Sequence, residues 1–97
     1  MPAVCVKGHL DAPHCSPMVR FGASTNVFVN GIGISRQTDH NTSHLIPFGE
    51  DCIFHTAPIT TGSLTVRVNG LGCGRIGDGL TICTSVAEGS SNVFAGG

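Results

Sequence analysis

Three side chains able to bind a soft or borderline metal ion recur at one spacing in this chain. His14, His44 and Cys83 stand six residues after Gly8, Thr38 and Gly77 respectively, and each closes a stretch that otherwise repeats. Imidazole nitrogen and thiolate sulfur are the donors that zinc takes in closed tetrahedral sites, with bonds of about 2.0–2.1 Å to nitrogen and about 2.3 Å to sulfur. Three donors drawn to one point need a fourth, and His55, in a segment with no counterpart elsewhere in the chain, can supply it. The expected site is therefore one structural zinc per chain held by His14, His44, His55 and Cys83. Cys15, beside His14, and Cys52, in Cys52-x-x-His55, are competing donors that could replace one of these ligands. His9 and His40, close behind Gly8 and Thr38 where another copy of the motif has Asp78, read as turn residues instead.

Four donors fill a zinc shell, whereas a catalytic zinc keeps one position open for water and has a carboxylate base near it. No Glu stands beside these donors in a metallohydrolase-like pattern. Asp39 and Asp78 occupy equivalent repeat positions, which suits turn capping better than an acid/base pair. Neither a Gly-x-Ser-x-Gly elbow nor a phosphate loop ending in Lys is present. The chain is expected not to be an enzyme. The rival readings are a small zinc-dependent enzyme and a disulfide-stapled secreted binding domain.

The elements that must position the donors come from an internal repeat. Shifting the chain by 39 positions lays Ser24 on Ser63, Val27 on Val66, Val29 on Val68, Asn30-Gly31 on Asn69-Gly70, Arg36 on Arg75, Asp39 on Asp78 and His44 on Cys83. A third copy is split between the ends: Gly89 to Gly97 repeats the first half, and Ala3 to His14 repeats the second. Repeats of this kind bury their apolar faces only against one another, so three units should close into a ring where the two ends meet. Within each unit Val-x-Val alternates with period two and Asn-Gly marks a tight hairpin turn, giving strands over 26–29 and 32–36, and over 65–68 and 71–76. Val27, Val29, Val66, Val68, Val93 and Ala95 should face the interior, with Phe28, Arg67 and Phe94 facing out. Residues 3–7 read as a short strand, and 8–17 and the inserted 45–60 as loops.

Composition narrows the class further. The 97 residues include 14 Gly, 5 Phe and no Trp or Tyr, which is one small domain with a thin core and a need for an added staple. No window carries the helical apolar period through three turns, so the fold class is all-β. A net charge of −1 with 11% charged residues offers no electrostatic footprint for nucleic acid or an acidic membrane. The N-terminal residues lack the charged head and apolar run of a signal peptide, so synthesis in the cytoplasm is expected. In that reducing setting five cysteines, an odd number, favour metal over disulfides.

Gly62 to Cys83 resembles the PAAR-repeat family, whose units read Gly-Ser-x-x-Val-x-Val-Asn-Gly-x-x-x-x-Arg-x-Gly-Asp followed by His or Cys. Ala23 to His44 resembles it with Gln37-Thr38 in place of x-Gly, and the Pro-Ala-Ala-Arg signature is degraded to Gly33-Ile-Ser-Arg36, Gly72-Cys-Gly-Arg75 and Pro2-Ala-Val-Cys5. The resemblance spans nearly all of residues 1–97 except 45–60. It implies a small conical structure of three hairpins with pseudo-threefold symmetry, holding zinc near the apex. It also implies a role as the tip of a contractile phage tail or type VI secretion spike. The partner would be a trimeric spike β-helix, one chain per trimer, with transient contact with a target membrane and room for cargo effectors. If the donors draw one end to a point, the end near Asn30-Gly31 and Asn69-Gly70 is the wide one, and Phe28, Ile32 and Leu71 are its expected contact residues.

Overall fold

The computed structural model describes residues 1–13, 16–48, 51–81 and 83–97. Among them there is no helix, and the regular structure is three separate two-stranded antiparallel sheets. β1 (Phe28–Val29) pairs β2 (Ile32–Gly33) and β5 (Arg67–Val68) pairs β6 (Leu71–Gly72), while β3 (His44–Phe48) pairs β4 (Asp51–His55). The two Asn-Gly turns have positive φ at both central residues, 53° and 81° at Asn30-Gly31 and 54° and 81° at Asn69-Gly70. That is the primed geometry matching the twist of hairpin strands, and Asn and Gly adopt it most readily.

The repeat hairpins are shorter than the alternating pattern predicts, for a reason visible at both ends of each strand. Ser24, Ser63 and Ser90 each turn a hydroxyl onto the backbone N–H groups two and three residues ahead, so the outgoing strand starts late. Each return strand then leaves its hairpin partner and bridges another repeat unit: Arg36 pairs Cys73, Val4 pairs Arg75, and Val6 pairs Ile34. The first unit is assembled from both chain ends. Ala3 pairs Phe94, the Val4 N–H donates to the Val93 carbonyl at 3.0 Å, and the Ala95 N–H donates to the Pro2 carbonyl at 3.0 Å.

A further contact links the units in sequence. The Asn69 amide donates to Asn26 at 2.9 Å, the Asn30 amide donates to Asn92 at 2.9 Å, and the Gly96 carbonyl accepts from Ser63. Each hairpin turn therefore reaches the serine turn of a different unit. Inside, Val29, Val68 and Ala95 are buried with Ile34, Cys73, Val4 and Val6, and Val27 and Val93 pack against them. Val66 departs from the expected interior face and is 40% exposed, while Phe28 and Phe94 face outward as their register requires. A second cluster of Cys5, Ala57, Ile59, Leu80 and Val86 lies against Cys83. Burial there pushes the Cys5 thiol up to about 12, which keeps it protonated and inert.

The Arg36–Asp39 and Arg75–Asp78 segments form one tight turn twice over. The carboxylate accepts from the backbone N–H three residues earlier, at 2.8 and 2.7 Å, and pairs with the same arginine's guanidinium. In the first unit the His9 Nδ1 takes the carboxylate's place and accepts from the Val6 N–H at 3.0 Å, so His9 is a turn residue as expected. His40 is not: it follows Asp39, and its Nδ1 lies 3.0 Å from the Thr56 hydroxyl. All three turns need positive φ at their third residue, 92° at Gly8, 86° at Gly77 and 79° at Thr38. A β-branched residue is strained there, at a cost of order 1–3 kcal/mol. Thr38→Gly is therefore expected to stabilise the fold by about 1 kcal/mol after glycine's greater unfolded-state entropy is counted. A thermal melt checks this, and a lower Tm would contradict it.

Segments expected to be loops carry structure. Leu10 and Asp11 form backbone bridges to Val19 and Val86, and the insertion contains the longest strands among the described residues. Its residues Leu45-Ile-Pro-Phe48 and Cys52-Ile-Phe54 are rich in strand formers. Pro47, which cannot donate, is tolerated because a two-stranded ribbon has only edges.

Candidate metal centre

His44 opens β3 and His55 closes β4, and the register pairs them directly, so both imidazoles stand at the base of the inserted hairpin. Cys83 comes from another part of the chain, and its N–H donates to the Leu80 carbonyl at 3.2 Å. The Cys83 Sγ lies 3.3 Å from the His44 Nε2 and 3.4 Å from the His55 Nε2. The two rings meet edge to face with centroids 4.3 Å apart. All three ligand atoms fall within 4.8 Å of one another.

A tetrahedral ion with the usual zinc bond lengths holds nitrogen and sulfur roughly 3.5 Å apart, so these separations match a shared ion. The donor set of two imidazoles and a thiol is chemically suited to one. His44, His55 and Cys83 could therefore hold a metal ion. The His44 Nδ1 lies 2.9 Å from the Thr42 carbonyl, which can only accept, so Nδ1 carries the proton and Nε2 turns its lone pair toward the sulfur. Burial pushes the Cys83 thiol up, and a hydrogen bond from the Asn41 side chain is the main influence opposing it.

His14 and Cys15 lie outside the described residues. The residues flanking them bond close to the other donors: the Ala12 N–H donates to the Ser85 carbonyl at 2.9 Å, and the Leu45 N–H donates to the Ser16 hydroxyl at 2.9 Å. The proposed ligand set thus divides into three donors that the fold brings together and one whose flanking segment runs beside them.

Beside the donors lies a buried polar group that the motif reading overlooked. Asp11 and Arg20 are fully buried and paired at 3.2 Å, and the Asn41 amide donates to the same carboxylate oxygen at 3.0 Å. Arg20 also donates to the Asp39 carbonyl at 2.6 Å. The other Asp11 oxygen and the Arg20 Nε find no partner among the described residues. Burial raises the Asp11 carboxyl above its ordinary range, with Arg20 the chief opposing influence. The repeat held a clue: Asp11, Asn41 and Leu80 share one repeat position, three residues before His14, His44 and Cys83. Two polar side chains at a position that a core should make apolar mark a site with a second layer.

No known family model matches this chain, and no curated protein matches it either.

Proposed function

We propose that this chain is a structural tip protein that caps and sharpens the trimeric β-helical spike of a contractile injection machine, in a phage tail or a type VI secretion system. The observation that carries the reading is the contact running from each hairpin turn to the serine turn of another unit, made at all three junctions including the one closed by the chain ends. Such a ring is a single chain with pseudo-threefold symmetry. It offers three similar edges to a homotrimer and still ends in one point, which a true trimer cannot do. Its dimensions of 39 × 23 × 22 Å, long in one direction and even in the other two, suit a cone on an axis.

On this reading the metal is zinc, held by His44, His55 and Cys83 with His14 as the fourth donor. The ion clamps the inserted hairpin to the remaining units at the apex, and its binding free energy is folding free energy. The role is mechanical rather than catalytic, and the wide end carries the docking surface, with Phe28, Ile32 and Leu71 at its turns. Target-membrane contact during penetration and cargo carried on the outer face belong to the same proposal.

Coexpression with a trimeric spike fragment tests it. The expected result is a co-purifying complex whose mass gives one copy of this chain per trimer. A ratio of one per spike chain, or no complex with spikes of either machine, would overturn the reading.

A further inference from the structure

The ligand-bearing segments come from four separate parts of the chain, so something must hold them in register when the ion is not there. Asn41 is bonded to more than one of them. It stands three residues before His44. Its backbone N–H donates to the Ala57 carbonyl at 3.1 Å, and its side-chain Oδ1 accepts from the Ala57 N–H at 2.9 Å, which grips the strand end carrying His55 twice. Because Oδ1 is taken by a donor, the amide orientation is settled, and Nδ2 must point the other way. There it donates to Asp11, on the segment leading to His14. Arg20, bridged to Asn41 through the backbone and bonded to Asp11 and the Asp39 carbonyl, holds the carboxylate in place.

We propose that Asn41 is the positioning residue of the metal centre, fixing the spacing of the His44 and His55 donors through Ala57 and Asp11 rather than by touching the ion. The inference rests on the metal reading above. A buried amide at this position is otherwise a poor choice, since Leu80 fills the equivalent place in another unit and packs into an apolar cluster. Outer partners of this kind orient ligands, and their loss typically lowers metal affinity about 10–100-fold.

The test uses cobalt as a spectroscopic substitute for zinc in the full chain. The wild type is expected to bind one cobalt ion with a sulfur-to-cobalt charge-transfer band. Asn41→Leu is expected to weaken zinc binding about 10–100-fold in competition with a chromophoric chelator and to shift that band. Val68→Ala, in the other apolar cluster, serves as the control for plain destabilisation: its Tm should fall while band and affinity stay as in the wild type. If Asn41→Leu does not fold, Asn41→Ser, which removes the amide without adding bulk, carries the same expectation. An Asn41 variant with unaltered affinity and band, or a Val68→Ala protein showing the same losses, overturns the positioning role and leaves the metal reading standing. A wild-type chain that binds neither cobalt nor zinc overturns the metal reading itself.

Discussion

Cys83→Ser is expected to abolish stoichiometric zinc binding and to lower the Tm by roughly 15–30 °C. The estimate combines about 4 kcal/mol of linkage stabilisation for a ligand present at 1,000 times its Kd with about 4–8 °C per kcal/mol for a domain of this size. The sulfur is the shared neighbour of both imidazoles, at 3.3 and 3.4 Å, so it lies at the centre of the cluster. A hydroxyl is a much poorer zinc donor than a thiolate, and the remaining histidines are the base of a hairpin that packs against no other strand among the described residues. Chelator treatment of the wild type should reproduce the same melting temperature. Metal analysis and calorimetry together decide the matter. Full zinc occupancy in the serine variant would transfer the sulfur ligand to Cys15 or Cys52, and an unchanged Tm after chelation would remove the metal from the stability of the fold.

The second large effect is expected at the proposed docking face. Phe28→Asp should weaken binding to a trimeric spike by about 100-fold or more, the loss of one or two interface anchors at about 1.4 kcal/mol per tenfold. Phe28 is 55% exposed and Ile32, on the facing strand, 46% exposed, so the two offer adjacent apolar surface to a partner. Leu71 is only partly buried within the equivalent hairpin and is a less clean probe, since a charge there also disturbs the pairing with Val68. Phe54, 77% exposed next to His55 on the inserted hairpin, supplies the comparison. Phe54→Asp should leave spike binding intact. Both variants must keep the wild-type zinc content and Tm for the comparison to count. Loss of binding in Phe54→Asp alone would place the docking face at the metal end and invert the proposed orientation.

Much of this molecule was legible in the residues because the repeat makes the same local demand more than once. Asn-Gly at two equivalent positions specifies two primed turns, and the turn geometry at Val6–His9, Arg36–Asp39 and Arg75–Asp78 follows from a side-chain acceptor three residues after the N–H it satisfies. The pairing of His44 with Cys83 was likewise readable, since one repeat position in two units must reach one place if the units close on each other. His55 was readable only as a donor in an unmatched segment. That it meets His44 across a strand ladder is a matter of register, which no local pattern in Leu45 to His55 specifies.

The sequence by itself determined the all-β class, the repeat unit and its turns, and three donors now found together, because each depends on interactions within a few residues or on repetition. Tertiary structure alone decided how far the hairpins extend, since their return strands are drawn away to bridge other units at Arg36–Cys73, Val4–Arg75 and Val6–Ile34. It also decided that Asp11, Arg20 and Asn41 are buried together beside His44. A lone Asp, Arg or Asn has no signature in a sequence. Desolvation becomes tolerable only when the chain brings opposite charges and an amide from distant segments within hydrogen-bonding distance, and that is settled by the tertiary fold as a whole.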